Sequence, residues 1–268
     1  MRRKNGSKRW IGILGYPLAH SYSKTYHEGR LREAGLDWEF RTMAWSSQSY
    51  KSEIKFLKKD PFCKGFSVTM PYKQTIVSHL DASDEVVSRI GVVNCVKSRD
   101  GRWLGLNTDA AGFLKSFKHW QVIPPKKTAV IFLGTGATAR TLSYTLAREG
   151  YRYFMFMNRT MERANQWAEQ FKQLFYDADV AVVPWGSALP KQSLFLLNTT
   201  PLGMGEEPME WLDIDGMKRS SWVFDVIYNP KTTPLLKHSQ RRCFFTMNGR
   251  SMFEAQADLS FACWTAVA

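Results

Sequence analysis

The chain has 268 residues, 44% of them hydrophobic and 23% charged, with a formal net charge of +13 at pH 7. That length allows two domains and a sizeable core, the composition is that of an ordinary soluble globular protein, and no segment approaches the roughly 18 consecutive apolar residues of a membrane span. The positive charge suggests an anionic partner, a nucleic acid or a small polyanion, but the basic residues fall in scattered short groups (Arg2–Lys4, Lys58–Lys59, Lys126–Lys127, Arg241–Arg242) with no arginine-rich helix or aromatic interleaving, so they read mostly as a solvated surface with a steering field, and no nucleic acid is expected.

The opening "MRRKNGSKRWIGILGYPLAH" imitates a signal peptide, yet its apolar run contains Gly12, Gly15 and Pro17 and no small-x-small cleavage site follows. It reads as a basic tail entering a first buried strand, "RWIGILG". A helix over "SKTYHEGRLREAG", a strand over "WEFRTMAW", a serine-started helix over "SSQSYKSEIKFLKK" and a strand over "KGFSVTM" follow. "VVNCVKSRDGRWLGLN" predicts a hairpin turning at Asp100–Gly101, and "AAGFLKSFKHW" a short helix. The run Pro124–Pro125–Lys126–Lys127 breaks the pattern and marks a domain boundary.

Beyond it, six apolar strands are predicted at "TAVIFLG", "YRYFMFMN", "DVAVVPW", "SLFLLNT", "SWVFDVIY" and "CFFTMN", with helices over "ATARTLSYTLAREG" and "RTMERANQWAEQFKQLF" between the first three. Near-continuous apolar strands alternating with helices imply a parallel sheet covered on both faces. The expected fold is therefore α/β: an N-terminal α/β domain over residues 1–122, a doubly wound Rossmann-type parallel sheet over 123–246, and a helical segment over 247–268 that packs back on the first domain. Cys63, Cys95, Cys243 and Cys263 form no C-x-x-C pair, which argues against a zinc site or a disulfide framework and for a reducing cytoplasm. All four are expected to be small buried hydrophobes, and no metal is expected.

"VIFLGTGATAR" sets Gly134, Thr135 and Gly136 directly after a strand, with Ala137 and Ala139 in the opening turn of a helix. In this G-x-G-x-x-A arrangement Gly134 permits the tight turn, Gly136 lets backbone approach a pyrophosphate, and Ala139 allows close helix–strand packing. The helix N-terminus then offers free N–H groups to the phosphates. About 20 residues further on, this fold usually places an acid against the ribose 2′-OH. Here the chain offers Asn158, Arg159 and Thr160, with Arg163 one turn on. Guanidinium groups suit a 2′-phosphate, so NADP is expected over NAD. The bland alternative is a helix capped by Asn158 with solvated arginines.

A nicotinamide cofactor needs a partner group to move the proton that accompanies hydride. Lys73 ends "GFSVTMPYK" near a strand tip, and Asp109 ends "GLNTD" just before a helix. A lysine held by a carboxylate in a closed cleft could trade a proton with a carbinol oxygen, though spacing alone leaves an ordinary surface lysine open.

From Ile11 to Trp264 the chain resembles the shikimate dehydrogenases, in order through "GILGYPLAHSYS", "GFSVTMPYK", "IGVVNC", "GLNTDAAG", "GTGATAR", "NRTMERA", "NTTPLGM", "DVIYNPKTTPLL" and "GRSMFEAQA". The resemblance implies reversible, NADP-dependent reduction of 3-dehydroshikimate to shikimate, in the route to chorismate and the aromatic amino acids, by a cytoplasmic enzyme that is a monomer or homodimer. By the same likeness, Ser21 and Ser23 would hold the substrate carboxylate with help from Tyr228. Lys73 and Asp109 would be the catalytic pair, and Thr69, Asn94, Asp109 and Gln256 would bind the ring hydroxyls. Gly134, Thr135, Gly136 and Ala137 would form the phosphate loop, with Asn158, Arg159, Thr160 and Arg163 selecting NADP. Asn198, Thr199, Thr200, Gly249 and Met252 would line the nicotinamide side. The chain departs from the family pattern at Lys24 (often proline), Ser67 (usually asparagine), Cys95 (often threonine) and Ala137 (usually the second glycine of a pair), none of which removes a proposed catalytic group. A broader quinate/shikimate dehydrogenase using NAD and a non-catalytic dinucleotide or nucleic-acid binder are the competing readings.

Overall fold

The computed structural model describes residues 8–18, 22–205 and 212–266. The described residues divide into two compact units, one running to Thr108 and resuming at Gln256, the other running Asp109–Ala255.

In the first unit the chain runs β1 (Trp10–Gly15), α1 (Tyr22–Glu33), β2 (Glu39–Ala44), α2 (Ser47–Lys58), β3 (Cys63–Val68), a short 3-10 helix (Thr75–His79), β4 (Ala82–Ser83), α3 (Glu85–Ile90), β5 (Cys95–Arg99) and β6 (Arg102–Leu106). These strands form one sheet in the order β2-β1-β3-β5-β6-β4. The first three are parallel, β5 runs antiparallel to both β3 and β6, and β4 pairs parallel with β6. Alternation along β1 sorts the core, since successive strand side chains point to opposite faces. Trp10 and Leu14 pack with Tyr50, Ile54 and Leu57 of α2. Ile11 packs with Leu31 of α1 and with Phe261 and Trp264. The latter two belong to α8 (Arg250–Thr265), so this sheet is covered on both faces. At the hairpin, Asp100 (φ 51°) and Gly101 (φ 74°) both take left-handed backbone, the conformation a two-residue turn between right-twisted strands requires. Gly65 of β3 leaves room for the Trp264 indole, into which a Cβ would project.

The second unit holds α4 (Thr108–Lys118), most of which lies within it, β7 (Ala129–Leu133), α5 (Ala137–Arg148), β8 (Tyr153–Asn158), α6 (Met161–Leu174), β9 (Asp179–Pro184), β10 (Leu194–Asn198), β11 (Trp222–Asp225), α7 (Pro234–Arg241), β12 (Phe245–Asn248) and the start of α8. Its strands lie in the order β12-β11-β10-β7-β8-β9, every pair parallel. That is the doubly wound arrangement, with the order reversing between β7 and β10. One face packs Ile131, Leu133 and Val223 with Leu235 and Leu236 of α7. Aromatic rings are concentrated among the remaining buried side chains: Phe117 of α4 stacks on Phe195, and Phe156 meets Phe171 of α6 edge-on.

One expectation needs correction. The cysteines are not uniformly buried: Cys63 and Cys95 are, Cys263 is partly exposed and Cys243 is exposed in left-handed backbone (φ 58°). The bland alternative also changes: the N-cap position of α6 is Thr160, which makes no side-chain cap bond, and Asn158 Nδ2 donates to the Thr160 carbonyl at 2.9 Å.

Candidate active site

β3 ends at Val68, and the chain turns at once. The Thr69 N–H donates to the Leu14 carbonyl at 2.8 Å, Tyr72 N–H returns to Thr69 at 2.9 Å, and Val93 N–H reaches the Lys73 carbonyl at 2.8 Å. The absence of a side chain at Gly15 permits this turn, because a Cβ there would meet the Thr69 methyl and the Met70 carbonyl. Lys73 thus stands on a backbone fixed at both sides, with a partly exposed side chain.

Asn94, next to Cys95, is buried and organises the neighbouring strand tips. Its Oδ1 accepts the Thr108 N–H at 2.7 Å, and its Nδ2 donates to Thr108 Oγ1 at 2.8 Å and to Gln256 Oε1 at 3.1 Å. Thr108 Oγ1 also lies 2.9 Å from Ser260 Oγ. A buried amide costs little only when its donors and acceptors are paired, so this cluster fixes Asn94 and Gln256 side by side although 162 positions separate them. Ser23 is buried in the first turn of α1, while Ser21 lies outside the described residues. Asp109, also buried, follows Thr108 in the first turn of α4. Thr108 and Ser260 carry no role in the sequence reading. The only signal for Thr108 was its place inside "GLNTD".

In the second unit, Gly134 sits at φ 90°, a backbone that favours glycine, and its N–H donates to the Met157 carbonyl at 2.8 Å. A Cβ there would press on the Thr200 methyl at 2.9 Å and Thr199 Oγ1 at 3.4 Å, so the glycine turn and the Thr199–Thr200 segment are built against each other. Thr135 is buried, and Gly136 is the N-cap of α5 with no side-chain cap bond. A Cβ on Gly136 would meet no protein atom, so the packing of the chain itself does not demand glycine. An uncapped helix N-terminus opening from Ala137, flanked by a residue that keeps the backbone bare, fits a pyrophosphate. Ala139 is fully buried against the sheet.

At the tip of β8, Arg159 and Arg163 are exposed, and no acid stands between Asn158 and Met161. Neither arginine forms an ion pair among the described residues, which leaves both guanidinium groups available to an anion. At the tip of β10, Asn198 is fully buried. Its Oδ1 accepts from the Thr200 hydroxyl at 2.7 Å, and its Nδ2 donates to the Leu202 carbonyl at 3.0 Å and to Asp225 Oδ1 at 3.1 Å. Asp225 also accepts from Thr233 Oγ1 at 2.7 Å and from Ile227 N–H at 3.1 Å. Burial pushes its carboxyl up to about 6, against the opposing pull of these donors. This acid, unassigned in the sequence reading, ties the loop after β10 to the loop that carries Tyr228, whose ring lies 4.8 Å from that of Phe253. Its signal was a lone acid in an apolar strand. Gly249 lets α8 begin hard against the Val226 backbone, and Met252 is buried in its first turn.

Known proteins are similar to this chain along nearly its whole length. A family model described as the shikimate dehydrogenase substrate binding domain covers residues 13–96, and one described as shikimate / quinate 5-dehydrogenase covers residues 120–180. The shikimate dehydrogenase (NADP(+)) of Geobacter metallireducens is 34% identical over 264 residues, 97% of this chain and 92% of that protein. The chain belongs to the shikimate dehydrogenase family. Among family structures, shikimate 5-dehydrogenase from Thermus thermophilus, in complex with NADP(H) and shikimate, superposes with a TM-score of 0.81 at 28% identity, covering 97% of this chain and 94% of that one. The quinate dehydrogenase of Corynebacterium glutamicum, in complex with NAD, superposes with a TM-score of 0.85 at 25% identity over 97% and 94%. The family fold is α/β with a substrate-binding N-terminal domain and a Rossmann-like cofactor domain, as expected from the strand–helix rhythm.

Proposed function

We propose that the protein is an NADP-dependent shikimate dehydrogenase that interconverts 3-dehydroshikimate and shikimate. The observation that carries this reading is the chain-long similarity to relatives named shikimate dehydrogenase (NADP(+)), at 34% identity over 97% of the chain. It is joined by the acid-free β8 tip with its two exposed arginines, which favours a 2′-phosphate.

Bound NADPH would supply the hydride for reduction of the substrate carbonyl at C3. Around it, Thr135 and the N–H groups of the loop from Gly134 to Ala137 hold the pyrophosphate, and Arg159 and Arg163 hold the 2′-phosphate beside Asn158 and Thr160. Asn198, Thr199, Thr200, Gly249 and Met252 position the nicotinamide. The hydroxyls of Ser21, Ser23 and Tyr228 bind the substrate carboxylate, which suits an anion that must also leave. Thr69, Asn94, Asp109 and Gln256 bind the ring hydroxyls. The Lys73 ammonium gives a proton to the carbonyl oxygen on C3 in reduction, and in the reverse direction neutral Lys73 takes it back from the hydroxyl. Asp109 orients that ammonium. Such a biosynthetic enzyme works in the cytoplasm, as a monomer or homodimer, and its four cysteines, unpaired in the structure, suit that compartment. No helix among the described residues is long and apolar enough to cross a membrane.

The test follows nicotinamide absorbance with purified protein, pairing shikimate or quinate with NADP⁺ or NAD⁺. Rapid reduction confined to shikimate with NADP⁺ is expected. Comparable turnover with quinate or NAD⁺ would replace this reading with the broader quinate/shikimate one, and silence in all four pairings would overturn it.

A further inference from the structure

One pair of reactive groups in the first unit has no part in the chemistry above. Cys95 opens β5 directly after Asn94 and is fully buried, whereas Cys263 lies on α8 beyond Gln256 and is partly exposed. Cys95 packs with Phe261 and Trp264, which flank Cys263 on the helix, so the two thiols are near enough to influence each other's ionisation, with the Ser260 hydroxyl beside Cys95. Both elements are pinned on either side of the pair: the Trp264 indole N–H donates to the Val96 carbonyl at 3.0 Å, and Ser260 Oγ lies 2.9 Å from Thr108 Oγ1. The thiols are therefore neighbours because strand and helix are packed there, not through a stray surface approach. We propose that Cys95 and Cys263 are a peroxide-oxidisable dithiol that closes to an intrachain disulfide, fastening α8 to β5 beside Asn94 and Gln256.

The surroundings set the order of events. The neighbouring Cys95 thiol, and to a lesser degree the charge of Lys97, lower the Cys263 thiol against the opposing effect of burial, whereas burial holds Cys95 well above the usual thiol range, so Cys263 is the more readily ionised of the two. Cys263 Sγ attacks hydrogen peroxide first: an S–O bond forms, the O–O bond breaks, and the departing hydroxide takes a proton to become water. The sulfur, oxidised by two electrons, is now a sulfenic acid. Cys95 Sγ then displaces its hydroxyl: the S–S bond forms, the S–O bond breaks, and hydroxide leaves as water with the Cys95 proton. Two thiols and one hydrogen peroxide become one disulfide and two waters. Closing to an S–S bond of about 2.05 Å draws α8 toward the strand. Cys63, buried in the other core cluster, and Cys243, exposed on the second unit, have no such neighbour among the described residues and serve as internal controls.

The functional consequence rests on the reading of Asn94 and Gln256 as substrate groups. Shifting one against the other should raise the KM for shikimate several-fold and leave that for NADP⁺ unchanged. In the test, reduced full-length protein is treated with hydrogen peroxide, alkylated under denaturing conditions, digested without reductant and mapped by mass spectrometry. A cross-linked peptide pair holding Cys95 and Cys263, released by dithiothreitol, is expected. In Cys95→Thr the cross-link is lost and Cys263 is trapped by dimedone as sulfenic acid. Recovery of wild-type Cys95 as alkylated thiol, with Cys263 either alkylated or over-oxidised to sulfinic acid, overturns the proposal. The map is independent of turnover, so a protein inactive on shikimate but cross-linked by peroxide would overturn the functional reading and keep the dithiol. A cross-link without any shift in KM would sever the dithiol from the substrate site.

Discussion

Replacing His27 with phenylalanine should remove a defined part of the protein's acid sensitivity. His27 is fully buried on α1, its ring stacked near Phe40 and Phe261 and tilted against Trp264. Neither ring nitrogen has a hydrogen-bond partner among the described residues. Burial dominates, the Arg30 charge adds to it and Asp258 opposes it, and together they lower the imidazole from 6.5 to about 4. A depressed histidine binds protons more readily unfolded than folded, so its effect is nil above pH 6.5 and destabilising below. Stability is lost as pH falls from 6.5 toward 4. The full span corresponds to about 3.4 kcal/mol, of which about 2 kcal/mol is lost by pH 5. In His27→Phe the apolar ring keeps its stacking partners and cannot titrate. Urea unfolding at pH 7.5 and pH 5 should show the wild type losing about 2 kcal/mol more than the variant between the two. An identical pH dependence in both proteins would refute the argument, and with it the claim that His27 is uncharged in its aromatic pocket.

Lys73→Ala should cut kcat by about 10²–10⁴-fold with little change in the KM for shikimate, because a proton-transfer group acts in the transition state; steady-state kinetics in both directions would check this. Arg159→Ala removes charge-assisted donors worth about 1.5–3 kcal/mol, so KM for NADP⁺ should rise roughly 10- to 100-fold while any NAD⁺ turnover is unaffected. Gly65→Ala pushes a Cβ into the Trp264 indole and the Val96 carbonyl, and should lower unfolding free energy by about 1–3 kcal/mol in denaturant titrations. Equal stability in that last variant would mean that α8 is not seated where the indole hydrogen bond puts it.

Much of the fold was legible because periodicity and punctuation agreed. The Asp100–Gly101 pair announced its hairpin, Ser46 its helix (its Oγ accepts the Ser49 N–H), and the six apolar runs after Pro125 their parallel sheet. Short elements escaped because one or two turns carry too little period: the 3-10 helix at Thr75–His79 and α3, the latter marked only by the Asp84 cap on Val87 N–H. α7 escaped too, although Thr233 caps it and Pro234 opens it, a readable start signal hidden among prolines. At the site, a backbone demand was legible in the glycine at 134, which takes φ 90°. What periodicity could not reveal were the polar side chains that hold others in place, Thr108, Ser260 and Asp225. Their partners lie 14 to 152 positions away for Thr108 and Ser260, and only the folded chain brings those together. Reading "NRT" as an anion site rested on its charge and on its place about 20 residues past the glycines.

The division of the chain also orders its biogenesis. The second unit is one uninterrupted stretch, so a growing chain can complete it while α8 is still being made. The first unit is different, since Gln256, Ser260 and Trp264 are translated a whole unit later than the strands they pack on. Until they arrive, Asn94 lacks its Gln256 partner, and Ile11 and Cys95 lack their cover from Phe261 and Trp264. For that interval a nascent chain carries an unroofed sheet. Frameshifts or stop codons as late as codon 250 should therefore give aggregation-prone products that quality control removes, even though every strand of both sheets has been synthesised.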